Sequence, residues 1–99
     1  MRYSFTEPLW EHDGPAAWYF ITLPHDVTDE IDELTEGRQR GFGSVRVQVT
    51  VGATTWATSI FPDTRAGSFV LPVKKAVRTA EGLADGDPVA VELELLDSP

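Results

Sequence analysis

The sequence of 99 residues predicts a mainly β domain, a small closed or nearly closed β-barrel of about six strands with two short helices. Three patterns carry that expectation. Val45, Val47, Val49 and Val51 alternate with Arg46, Gln48 and Thr50, the period of a strand with one buried face. Val89, Val91, Leu93 and Leu95 alternate likewise with Ala90, Glu92 and Glu94. Between them, Val73, Ala76, Val77 and Ala80 recur at helical spacing. No helical pattern separates most of the strand pairs, which argues against a doubly wound parallel sheet. Short strands without edge protection favour closure instead.

Taken in order, Tyr3 to Trp10 reads as a first strand with Tyr3, Phe5 and Glu7 on one face and Pro8 near its end. Residues 11–15 form a turn. Ala17 to Leu23 is apolar on both faces, as a central strand would be, and Pro24 ends it. A helix near 26–35 follows, capped by Asp26 or Thr28, burying Val27, Ile31 and Leu34 and wetting Asp29, Glu30, Asp32 and Glu33. Thr35 to Ser44 is a polar, glycine-spaced loop. The valine strand 45–51 then turns at Gly52-Ala53 and returns from Thr54 to Phe61, with Trp56, Thr58 and Ile60 on one face. Phe61-Pro62-Asp63 is expected to end that strand, because Pro62 has no N–H to give to a ladder.

Ser68 to Leu71 is a short strand, and Pro72 has the fixed φ of a first helical residue, so the second helix is placed at 72–81. Gly82 is expected to close it in the left-handed conformation, with Leu83 folding back on Val77. Asp85-Gly86-Asp87-Pro88 turns the chain into the last strand. The shared interior is expected to hold Val47, Val49, Trp56, Ile60, Phe69, Val77, Val89, Val91 and Leu93.

Residues 1–99 read as a single domain, without repeat, linker or low-complexity tract. The formal charge of −8 opposes nucleic-acid binding, which draws its non-specific affinity from Lys and Arg on phosphates. No cysteine is present, so disulfides and thiolate ligands are excluded and a cytoplasmic location is expected. The start of the chain does not read as a signal peptide. Its longest apolar run, residues 16–21, is too short for a bilayer, so no membrane role is expected.

The basic residues are clustered. Lys74, Lys75 and Arg78 fall within one short stretch, with Lys74 and Arg78 one helical turn apart and opposite Val73 and Val77. Arg38 and Arg40 share the glycine-spaced loop, and Arg65 follows the Pro62 break. Together they are the candidate ligand-binding residues, fit to hold a carboxylate, a phosphate or an acidic partner segment. Cations early in a helix oppose its dipole, whereas an anion there would also meet backbone N–H groups. The plain alternative is a solvated helix face paired with some of the sixteen acids.

Other chemistry is weaker. Arg38 to Ser44 resembles a phosphate loop only in its glycines: it precedes a strand and lacks the Walker lysine. Thr58, Ser59, Asp63 and Arg65 surround the Pro62 break, where Asp63 can close an Asx-turn and pair with Arg65. Ser59 lacks the flanking glycines of a nucleophile elbow, and nothing in the sequence brings His12 or His25 to it as a base. The two histidines fit no compact metal motif. No catalytic residue, metal or cofactor is assigned, and an enzyme is not the expected reading. Trp10, Trp18, Tyr19, Phe20 and Trp56 are many large rings for a small barrel; most are expected in the core, and an exposed patch at Trp10 or Tyr19 would mark an interface.

Several of these stretches carry a family resemblance. They are Trp18 with Leu23-Pro24, Gly41-Phe42-Gly43-Ser44-Val45, and Trp56-x-Thr58-Ser59-Ile60-Phe61-Pro62-Asp63. Leu71-Pro72-Val73-Lys74-Lys75-Ala76-Val77-Arg78 and Gly86-Asp87-x-Val89 complete the set. Over essentially residues 3–95 the chain resembles the bacterial DUF1905 family, a domain of unknown function. The resemblance implies a small six-stranded β-barrel, found alone or ahead of a short helical segment, and brings no activity or catalytic residues with it. The expected function is a soluble binding or interaction module, accepting a small anionic ligand or an acidic protein partner as a monomer or small homo-oligomer. The alternative is a structural homo-oligomer joined through an aromatic face.

Overall fold

The computed structural model describes residues 1–15, 17–37 and 43–96. Six strands and two helices follow in the order β1 (Arg2–Glu11), β2 (Tyr19–Thr22), α1 (His25–Thr35), β3 (Val45–Val51), β4 (Thr54–Asp63), β5 (Ser68–Pro72), α2 (Lys75–Glu81) and β6 (Pro88–Leu95). The strands close into an antiparallel barrel with neighbours β1-β2-β5-β4-β3-β6, and β6 returns to β1. The fold is the one expected from the alternating patterns.

Two long strands make the closure by each serving two neighbours. β1 pairs with β6 from Arg2 to Pro8, then with β2 from Leu9 to Glu11. The switch falls at Pro8 opposite Pro88, two residues with no N–H to lose. The turn before β6 is stitched in at that point: Leu9 N–H donates to Asp87 O (2.9 Å) and Gly86 N–H to Leu9 O (2.7 Å). β4 behaves in the same way. It pairs with β3 from Thr54 to Ile60 and with β5 only from Phe61 to Asp63. The edge of β4 that faces away from β3 therefore has no strand partner between Thr54 and Ile60, and α2 packs beside it.

Inward positions fill the barrel. Val45, Val47, Val49, Ile60, Phe69, Leu71, Val89, Val91 and Leu93 are buried in one cluster with Ile21, Leu23, Ile31 and Val77. Every residue assigned to the interior from the sequence belongs to it, Trp56 as a half-buried member packed against it. Burying aliphatic side chains of this kind contributes about 1.5–3 kcal/mol each relative to leaving them in water.

Local expectations were corrected in five places. Pro62 lies inside β4, paired with Phe69, rather than ending the strand; beyond Ile60 no β3 ladder remains for its missing N–H to break. Pro72 is the last residue of β5, opposite Phe20, and α2 starts only at Lys75. The second strand is trimmed from Ala17–Leu23 to Tyr19–Thr22. Neither Asp26 nor Thr28 caps α1, which begins after Pro24 with no side-chain cap. The stripe of α1 is turned: Thr28, Ile31 and Thr35 are buried and Leu34 is exposed. Thr28 is spent on the neighbouring strand, where its hydroxyl accepts a hydrogen bond from Phe69 N–H at 3.2 Å. Gly82 does close α2 with φ +64°, and Leu83 packs against the core.

Candidate functional site

The unpartnered edge of β4 opens a cleft of about 430 Å³, walled by Trp18, Tyr19 and Trp56 on one hand and by Lys74, Lys75 and Arg78 on the other. Each wall has a local reason. Trp56 lies opposite Val49 in the β3–β4 ladder, half-buried, where β5 has not yet joined β4. Tyr19 starts β2, and Val73 N–H donates to its carbonyl at 2.9 Å, so the entry to α2 is tied to β2. Trp18 stands at the rim with 56% of its surface exposed, its ring nearly parallel to Phe20 (11°, centroids 6.3 Å apart).

Helix α2 is held at both ends. Val73 and Val77 are buried, which turns Lys74 and Lys75 outward. At the other end Thr54 Oγ1 donates to Glu81 Oε2 at 2.6 Å, anchoring the helix on the β3–β4 hairpin. Arg78 is fixed in between: its guanidinium carbon lies 3.8 Å from the Tyr19 ring centroid, and Nε donates to Val73 O at 3.3 Å. The helix has seven residues, and the N–H groups of Val77 and Arg78 both donate to Lys74 O. The positive character of the cleft thus rests on side chains rather than on a helix end.

Among the described residues no carboxylate lines the cleft. Among the described residues the ion pair is Arg2 with Glu94, on the opposite side of the barrel, and neither Lys74, Lys75 nor Arg78 has an acidic partner. Among the described residues, then, no acidic side chain pairs with the basic face. A larger depression of about 570 Å³ lies over β1, β6 and β3, but its one charged wall is Glu92. Chemistry, not size, singles out the cleft beside α2.

The remaining candidate residues lie apart. Arg65 sits in the turn between β4 and β5 and is not a wall of the cleft. Its backbone N–H, not its guanidinium, meets Asp63 Oδ1 at 3.0 Å, the expected Asx-turn. Arg38 and Arg40 lie outside the described residues, as does half of the glycine-spaced loop. Ser59 is in contact with Arg46, whose Nη1 donates to its hydroxyl at 3.4 Å.

Two groupings escaped the sequence reading. The aromatic residues and the basic cluster were each visible, but only the β2–β5 and β3–β4 pairings bring them to one cleft. The other is His25, whose Nδ1 lies 2.9 Å from Ser68 Oγ. Ser68 is buried and its partner begins α1, so the contact pins that helix to β5. No three His, Asp or Glu side chains gather as a metal site among the described residues. No helix among them is long and apolar enough to cross a membrane.

No curated protein matches the chain closely enough to lend it an activity. Residues 5–93, nearly its whole length, match the family described as Domain of unknown function (DUF1905), and the chain belongs to that family.

Proposed function

We propose that this domain is a binding module of the bacterial cytoplasm, and that the cleft beside α2 accepts a small anionic ligand. One observation carries the reading: Lys74, Lys75 and Arg78 face a cleft with no acidic wall among the described residues, on a chain whose formal charge is −8. With twice as many acids as bases in the sequence, a solvated helix face would be expected to meet carboxylates. Here an anion would find two ammonium groups free of ion pairs and a guanidinium already held in place, which lowers the entropy lost on binding. Arg65 has no part in this site.

The test is thermal unfolding of the full chain against a panel of phosphates and carboxylates at fixed ionic strength, beside a Lys74→Glu, Lys75→Glu double variant. A ligand at ten times its Kd stabilises by about 1.4 kcal/mol, which in a domain of this size is about 6–11 °C. Stabilisation of the wild type that the double variant loses supports the reading. No shift beyond ordinary salt effects, for any anion, defeats it.

A second reading has its own observation. Trp10, Phe20 and Trp18 form a contiguous aromatic row outside β1 and β2, with Trp10 and Phe20 centroids 5.2 Å apart and Trp18 more than half exposed. Such a row supports a homo-oligomer joined through that face. Light scattering on the eluting protein decides it: a monomer at all concentrations sinks this reading and leaves the first intact.

A further inference from the structure

The walls of the cleft carry more information than its charge. A site for a bare inorganic anion needs cations and N–H groups, and gains nothing from exposed rings. This cleft instead has three aromatic walls and about 430 Å³ of room, within the range of about 300–1,000 Å³ typical of small-molecule sites. The ring of Trp18 is backed by Phe20 and left 56% exposed at the rim, a rigid flat plate facing water. Tyr19 is already covered by Arg78, so a guanidinium, itself a planar stacking surface, lies over that wall in place of a bare ring. Trp56 also lines the cleft, half-buried against the core.

We infer that the ligand is an anion carried on a flat aromatic ring, its phosphate or carboxylate on Lys74 and Lys75 and its ring against Trp18. This rests on the anion-binding reading above and narrows it to a class. An aliphatic acid of the same size would bury similar apolar area, but aromatic pairs gain beyond area alone. The exposure of Trp18 makes that gain specific: an indole left in water in the free protein is dried only by a ligand that covers it.

Isothermal titration calorimetry on the full chain, at fixed ionic strength, tests it with phenyl phosphate against inorganic phosphate, and benzoate against cyclohexanecarboxylate and acetate. Phenyl phosphate is expected to bind about tenfold more tightly than inorganic phosphate, and benzoate several-fold more tightly than cyclohexanecarboxylate. Trp18→Ala, at an exposed position that leaves the core untouched, is expected to abolish the preference for the aromatic acids over their non-aromatic counterparts. Equal affinity for aromatic and non-aromatic anions overturns the inference but leaves the anion site standing. A preference that survives Trp18→Ala overturns the placement of the ring. Absence of binding by every anion removes both this class and the site it belongs to.

Discussion

The guanidinium of Arg78 stands over the ring of Tyr19, its central carbon 3.8 Å from the ring centroid. This contact joins α2 to β2 beside the Val73–Tyr19 backbone hydrogen bond that ties the entry of the helix to the same strand. It also sets the position of the one cation of the cleft that is half-buried.

If the contact contributes as half-buried cation–π pairs do, its coupling energy is about 0.5–2 kcal/mol. A double-mutant cycle of Arg78→Ala and Tyr19→Leu, read from urea midpoints, is expected to show the two losses as less than additive by that amount. Strict additivity would mean that the guanidinium merely rests there.

Gly52 and Glu81 make a second testable pair. Gly52 has φ +58°, and a Cβ added to it would collide with the Glu81 carboxylate that accepts from Thr54. Gly52→Ala is therefore expected to cost about 1–2 kcal/mol for the left-handed backbone alone, and more because Glu81 must leave Thr54. In a Glu81→Ala background the same substitution should cost only the backbone part. Equal costs in both backgrounds, measured by thermal or urea unfolding, would show that Glu81 yields without loss.

Thr28 supplies a third. Its buried hydroxyl satisfies Phe69 N–H at 3.2 Å, although the same residue reads from the sequence as a helix cap. Thr28→Val keeps the shape but orphans the amide, at a cost of about 1–3 kcal/mol. Thr28→Ser should restore most of it. A Val variant as stable as wild type in urea would show that the amide finds another partner.

These pairs mark where the sequence stops being readable. Period-2 valines in β3 and β6 and period-3.6 spacing after Pro72 are local signals, and the barrel follows from them. Thr28 was misplaced because capping is a local preference, whereas its actual partner is a strand 41 positions away. Pro62 was misplaced because its tolerance depends on β3 ending at Ile60. Leu34 was expected inside on spacing alone, but the face of α1 that meets β5 is set by Thr28 and Ile31. At the cleft, Lys74, Lys75 and Arg78 were visible as a cluster. That Tyr19 and Trp56 share their cleft depends on which strand edges pair, and no local pattern records that.

The last pair concerns pH. The Tyr3 hydroxyl is buried and has no hydrogen-bond partner. Its pKa is raised above the ordinary 10.0, first by burial and then by the nearby Glu30 carboxylate. The folded state thus holds the phenolic proton where the unfolded chain would release it. The sign follows from linkage: this contribution is whole below about pH 10, the unfolded value, and is lost as pH rises through the folded value. Tyr3→Phe removes both the orphaned hydroxyl and the titration. It is expected to be neutral or stabilising at pH 7, and its urea midpoint should fall less steeply than that of wild type as pH rises above about 10. Parallel alkaline limbs for the two proteins would show that the Tyr3 phenol titrates as freely in the fold as in the unfolded chain.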